Sequence, residues 1–277
     1  VPVVHSAEQK ERMSARDRVV AFFTAPGQFF DDICGSPSIQ INWRIPIMAF
    51  LLITLLVRQI MLTNPGLVAQ MEAKIDQELT TAVTTGQMSQ EEAEQARTFA
   101  QPGTAVFEIF LAILMGMAVP LLLFGLSLIY WLLGRVSMNS HAPFTKVVEV
   151  VGITFFVNCG EGLVAGLLMH TLNSITASPT LALFVPHFDP NNSMHLALSL
   201  ANPFRVWDLS ILSIGLSRLF QRDLPKVLVI VFTLWIVWST ATFPAGSLLL
   251  SPTRTHVANA RTRTAEETLP LFAGDAP

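Results

Sequence analysis

Five long apolar runs divide this chain of 277 residues, and each is about as long as a helix that crosses a bilayer. A hydrocarbon core of about 30 Å requires roughly 20 apolar residues in a helix. The runs cover residues 45–62, 105–133, 147–169, 204–220 and 226–250. Their repeated length predicts an all-α fold, a polytopic integral membrane bundle of five transmembrane helices with short interfacial helices.

The composition favours the same class of protein. Hydrophobic residues make up 51% of the chain and charged residues only 13%, whereas soluble domains carry about 25% charged residues. The charge deficit is the stronger indication, because a large soluble core also raises the hydrophobic fraction. A net charge of −3 does not indicate a nucleic-acid partner. The first 18 residues are polar, so we expect no cleavable signal peptide.

The distribution of Lys and Arg predicts the orientation of the spans, because these residues concentrate on the cytoplasmic side. Ten of them fall on one side of the predicted spans and six on the other, with Arg58 inside the first span. This excess predicts a cytoplasmic N-terminus, a C-terminus outside and an inner-membrane location. The run 204–220 is at the lower length limit for a span, and if it is re-entrant the C-terminus moves inside.

The N-terminal segment 1–44 is predicted to be cytoplasmic and to contain two short amphipathic helices. Phe22 and Phe23 share an apolar face, Pro26 interrupts the pattern, and Phe29 and Phe30 resume it. Two such helices before a span either lie in the membrane interface or pack on the cytoplasmic end of the bundle, and the sequence leaves both alternatives open.

The segments on the predicted outer side differ in character. Loop 63–104 is acidic and has apolar residues at helical spacing, and Ser89 followed by Glu92 reads as a capping box. We therefore expect a helical hairpin on the outer surface. Loop 170–203 has no Lys or Arg and several prolines, which favours a segment that dips into the interface. Residues 251–277 form a polar tail predicted to lie outside.

Polar residues within predicted spans are costly in lipid and mark candidate sites. Alternating span directions would bring the ionisable members of the set to the outer half of the membrane, where Arg58 could pair with Glu108 or Glu161. The alternatives are a proton or ion relay and a structural pair, and the structural pair is favoured. Glu161 lies too deep to reach the interface easily, beside Asn158. The candidate intramembrane polar cluster is Arg58, Glu108, Asn158, Glu161 and Asp208.

Two glycines one turn apart, Gly162 and Gly166, predict a close helix contact in the third span. Motifs for hydrolases, phosphate-binding loops and zinc proteases are absent from the sequence, so we expect no catalytic residue, no cofactor and no metal. His187, Asp189 and His195 in the second outer loop could ligate a metal, but solvated surface residues are the favoured interpretation.

Three segments resemble the Yip-one domain family of Ypt-interacting, five-span membrane proteins, in its bacterial form. Residues 22–30, Phe-Phe-Thr-Ala-Pro-Gly-Gln-Phe-Phe, are similar to the opening motif of the family. Residues 43–46, Trp-Arg-Ile-Pro, enter the first span as in family members, and residues 202–209, Asn-Pro-Phe-Arg-Val-Trp-Asp-Leu, followed by Gly215-Leu216, resemble the fourth span. The resemblance covers roughly residues 20 to 250.

The resemblance implies five helices with a cytoplasmic N-terminus. Eukaryotic members bind Rab-type GTPases in vesicle traffic, and some bacterial relatives are associated with ABC-type exporters. The expected function is a non-enzymatic accessory or scaffold subunit of a membrane complex, such as an export system, in contact with lipids and with protein partners or further copies of itself. The alternatives are a small transporter or channel that uses the intramembrane carboxylates, and a membrane-embedded enzyme acting on lipid.

Overall fold

The computed structural model describes residues 13–185 and 192–249, and within these ranges every regular element is helical. The all-α prediction is therefore confirmed. The helices are α1 Ala15–Thr24, α2 Pro26–Cys34, α3 Ile41–Leu62, α4 Pro65–Thr84, α5 Gln90–Phe99, α6 Ala105–Met138, α7 Phe144–Leu172, a 3-10 helix Leu181–Phe184, α8 Ser193–Leu200, α9 Pro203–Phe220 and α10 Leu224–Leu249. The described residues form two compact units, one up to Thr233 and one from Leu234 onward within α10.

Three helices are long and apolar enough to cross a membrane, namely α3, α6 and α7. The chain is thus an integral membrane protein by the length and composition of these helices. The two further spans remain a prediction. Helix α9 is short for a span and carries three charged residues, while α10 is described with its side chains only as far as Thr240.

Helix α7 is the centre of the first unit, since α3, α6 and α9 all pack against it. Its first half is buried almost completely, with a continuous run of buried residues from Lys146 to Phe155. Gly166 allows α3 to approach closely, because a Cβ atom there would lie 2.5 Å from Cγ1 of Val57. Gly162 faces Ile53 at an ordinary contact distance of 3.8 Å. The predicted glycine contact thus lies within the chain, between α7 and α3.

Helix α9 runs antiparallel to α7 but is much shorter. A Cβ atom at Gly215 would lie 2.6 Å from Cγ1 of Val150, and one at Gly160 would lie 3.4 Å from the Phe204 ring. Gly160 is close to the midpoint of α7, so α9 begins near the middle of its neighbour and ends beside the first turns of α7. The residues just before α9 therefore lie at the level of the α7 midpoint. That loop 170–203 dips into the membrane interface stays a prediction.

Helices α1 and α2 form a hairpin that packs on the bundle. Arg18 pairs with Asp32 across the hairpin at 2.9 Å. Near its turn, the Phe22 ring lies 6.2 Å from the ring of Phe156 in α7, and Phe23 lies 5.7 Å from Trp207 in α9. Phe156 and Trp207 are both near the level of the α7 midpoint. The turn between α1 and α2 therefore lies beside the middle of α7.

The outer segment forms the expected two-helix hairpin of α4 and α5. The Ser89 hydroxyl accepts a hydrogen bond from the Glu92 amide, and the Glu92 carboxylate accepts one from the Ser89 amide. These bonds from the Ser89 backbone and side chain lower the pKa of Glu92. The Gln70 side chain donates to the carbonyl of Asn173 at 2.8 Å and so joins α4 to the end of α7.

Replacing Gly166 by Leu should lower the melting temperature of the purified protein in mild detergent. The new side chain must displace Val57, and overpacking of this kind costs about 1–3 kcal/mol of unfolding free energy. Gly125→Leu is the matched control, because a Cβ atom there meets open space and the gain in helix propensity is the same. Equal melting temperatures for the two variants would contradict the close α3–α7 contact.

Candidate functional site

A buried ion pair lies in the first turns of α7. The ammonium group of Lys146 is 2.7 Å from a carboxylate oxygen of Glu149, and the two side chains are 7% and 0% exposed. Lys146 also donates to the backbone carbonyls of Ile33 at 2.6 Å and Pro37 at 3.3 Å. The lysine therefore holds the last turn of α2 and the linker that follows it.

The carboxylate of Glu149 holds the beginning of α3 in the same way. Its Oε1 atom accepts a hydrogen bond from Nδ2 of Asn42 and a long one, 3.5 Å, from the amide of Ile39. Lys146 and Asn42 thus approach the Glu149 carboxylate from different elements, α7 and α3. The role of Asn42 was not foreseen, because a neutral amide in the first turn of an apolar helix gives no signal of its own.

Arg58 and Glu108 form a two-pronged ion pair between the end of α3 and the start of α6. Nε and Nη2 of the guanidinium donate to the two carboxylate oxygens at 2.7 and 2.8 Å. The Gly103 amide donates to Glu108 at 3.0 Å, and the guanidinium lies 5.8 Å from the ring of Phe107. Glu108 is one of the two partners that the sequence left open for Arg58.

A second polar group lies between α7 and α9. The Asn202 side chain donates to the Glu161 carboxylate at 2.6 Å and accepts from the Phe204 amide at 2.9 Å, so it caps α9 and binds α7 at once. Asp208, one turn further, is buried, with Oδ2 at 3.4 Å from the Arg205 guanidinium. Its Oδ1 atom has no hydrogen-bond partner among the described residues.

The five predicted polar residues therefore divide into separate groups. Arg58 and Glu108 pair between α3 and α6, whereas Glu161 and Asp208 face the α7–α9 contact and Asn158 is half-buried on α7. The predicted depth match of Asp208 with Glu161 assumed that α9 runs along the full length of α7. Because α9 starts near the midpoint of α7, Asp208 lies beside the first half of α7. Its depth in the membrane stays a prediction.

The arrangement favours structural roles for most of these charges. Among the described residues no three His, Cys, Asp or Glu side chains come together to hold a metal, and His187 and Asp189 lie outside the described residues. Burial raises the pKa of the Cys34 thiol to about 11, so this cysteine stays protonated and is a poor nucleophile at neutral pH. Of the two buried carboxylates Glu149 and Asp208, Asp208 has the longer ion pair, 3.4 Å to Arg205 against 2.7 Å from Glu149 to Lys146, and is the better candidate to accept a proton or cation.

Comparison with known proteins places most of the chain in a single family. A family model described as the Yip1 domain matches residues 20–243, which is more than half of the chain. The match begins within α1 and ends within α10, so it includes the polar contacts described above. No curated protein and no solved structure matches the chain.

Glu108→Ala should destabilise the protein by about 1–3 kcal/mol in chemical denaturation of the detergent-solubilised chain. The pair is partly exposed, 26% and 15%, so the loss should fall between that of a surface pair and that of a fully buried one. Adding Arg58→Met to Glu108→Ala should recover part of the loss, because no uncompensated guanidinium remains.

Glu78→Ala, which removes an exposed pair with Lys74 at 4.0 Å, is the control and should change the unfolding free energy by less than about 1 kcal/mol. If Glu108→Ala matched this control, the Arg58–Glu108 pair would not hold α3 against α6.

Proposed function

The chain belongs to the Yip1 domain family, and from this premise we propose that it is a non-enzymatic accessory or scaffold subunit of a membrane complex. The complex we favour is an export system of a bacterial inner membrane, with the N-terminus of this subunit in the cytoplasm and its C-terminus outside. The excess of Lys and Arg on the N-terminal side supports that orientation.

The pairing of intramembrane charges within the chain is the observation that carries this proposal. Arg58 is neutralised by Glu108, Lys146 by Glu149, and Arg205 lies against Asp208. Charges that bind or relay a substrate have to remain available to it, whereas these pairs join helices to each other. Such pairs suit a protein whose task is to present a stable surface to other membrane proteins.

The outer half of α6 is the surface that we propose for a partner. The first 14 residues of this helix include no buried side chain, and its exposed apolar residues include Ile113 at 59% and Met117 at 69%. Only the inner half of α6 is buried against the bundle, from Val119 to Met138. Apart from the side of Glu108, which pairs with α3, this part of α6 can receive another helix without any rearrangement of the chain.

A transporter is the second candidate, and Asp208 is the observation that favours it. A buried carboxylate with one oxygen that has no hydrogen-bond partner among the described residues, six residues after the Asn202 cap and close to Glu161, can bind a proton or cation. The start of α9 near mid-depth has the geometry of the interrupted helices that hold ions in transporters. In this chain the polar group of Asn202, Glu161 and Asp208 is small and mostly paired internally. We therefore place the transporter second.

The scaffold proposal predicts stoichiometric recovery of a partner protein, or of a second copy, when the tagged full-length chain is purified in mild detergent. Ile113→Trp with Met117→Trp should lower that recovery at least about tenfold, because the bulky rings prevent close approach on α6. Leu52→Trp with Leu56→Trp on α3 is the control, since these side chains are similarly exposed, at 58% and 51%. A clean monomer in every preparation would contradict the proposal.

The transporter alternative predicts proton or cation flux into proteoliposomes above that of protein-free vesicles. Under the scaffold proposal we expect no such flux, and Glu161→Gln and Asp208→Asn should leave the vesicles unchanged. If the unmodified chain supports flux and either variant removes it, the scaffold proposal fails and the carboxylates acquire a transport role. Protein incorporation, measured by sedimentation of the vesicles, controls for loss of folded protein.

A further inference from the structure

A cleft of about 600 Å³ lies where α6 ends and α10 begins. One part of its wall is polar and basic, with Ser137, Arg222 and Lys226, and another part is apolar, with Val229 and Ile230. Its residues come from the end of α6, from the turn between α9 and α10, and from the first turns of α10. The cleft therefore combines a cationic end with an apolar wall at one end of the bundle.

Arg222 is held in place within this cleft. Its Nε atom donates to the carbonyl of Met138 at 2.8 Å, its own carbonyl accepts from the Ser217 hydroxyl at 2.7 Å, and its amide donates to the Ser217 carbonyl at 3.1 Å. Nη1 and Nη2 of the guanidinium make no bond to the described residues and stay available. An arginine fixed in this way loses little side-chain entropy when it binds an anion.

The electrostatics of the cleft favour an anion. Neither Asp nor Glu lines it, and the nearby Asp223 lies 3.9 Å from Lys226 with both side chains more than 70% exposed, a weak contact. A second cleft of about 690 Å³ shares Asn139 and Arg222 with the first and also lacks acidic residues. It contains His141, which contacts Arg135 at 3.4 Å, so a further cation stands close by.

The apolar wall distinguishes the cleft from a site for a soluble anion. Val229 is 66% exposed on α10, and Val136 is 80% exposed on the neighbouring end of α6. We propose that the cleft binds an anionic phospholipid, with the phosphate between Arg222 and Lys226 and an acyl chain along Val229 and Ile230. Basic residues at the ends of membrane helices bind such headgroups in this way. This site is independent of the partner surface on α6.

The test uses the full-length chain in detergent micelles and counts bound lipid by native mass spectrometry. The probes are phosphatidylglycerol, which is anionic, and phosphatidylcholine, which is zwitterionic. Lys226→Gln should weaken phosphatidylglycerol binding about fivefold, since one basic group near a membrane surface contributes that much. Lys74→Gln is a closely matched control, because Lys74 is also exposed and lies 4.0 Å from an acidic side chain, but on the outer hairpin.

A second variant tests the cleft without removing a cation. Ser137→Glu places a carboxylate against the proposed phosphate position and should weaken phosphatidylglycerol binding by at least about fivefold, whereas Ser137→Gln should not. Ser137 is exposed, so we expect both variants to have the melting temperature of the unmodified chain. Equal melting temperatures would confirm that the variants fold.

Three outcomes would overturn the proposal. They are equal binding of the two lipids, equal effects of Lys226→Gln and Lys74→Gln, and displacement of phosphatidylglycerol by millimolar inorganic phosphate. The last result would assign the cleft to a soluble phosphate ligand.

Discussion

The buried pair of Lys146 and Glu149 holds together the end of the bundle at which α7 begins. Its atoms contact the end of α2, the linker 35–40 and the start of α3, so three segments that are separate in the sequence meet at the first turns of α7. Removing one member of a fully buried pair costs about 3–5 kcal/mol, because the other charge is left without compensation. The position of the N-terminal hairpin and the entry angle of α3 therefore depend on these two side chains.

The short length of α9 creates a second constraint at mid-depth. Where a chain is surrounded by lipid, backbone polar groups need partners within the protein. The connection before α9 meets this need with Asn202, whose side chain caps the helix and binds Glu161, while α2 covers α9 on another side through Phe30 against Gly215. The α1–α2 hairpin is thus part of the bundle. It covers a side of α9 that α7 alone would leave exposed.

Features with a local cause could be predicted from the sequence, and features with a distant partner could not. Apolar length identified α3, α6 and α7, and the Ser89–Glu92 spacing identified the start of α5, because both depend on neighbours along the chain. The family was recognisable from short motifs, and the family match confirms it. The level of Asp208 beside α7 could not be predicted, because it depends on where α9 begins, which no local pattern encodes.

The role of Asn42 shows the same limit at the level of a single side chain. Charged residues within predicted spans can be recognised in the sequence because their burial in lipid is costly. The neutral donors that stabilise them have no comparable sequence signature. The Glu149 side chain is 0% exposed. Its burial is possible because Lys146, Asn42 and the Ile39 amide lie close to its oxygens. Asp208 is the contrasting case, since its charged partner Arg205 lies 3.4 Å away, whereas Lys146 lies 2.7 Å from Glu149. The close ion pair marks Glu149 as structural, and the longer one keeps a transport role for Asp208 open to experiment.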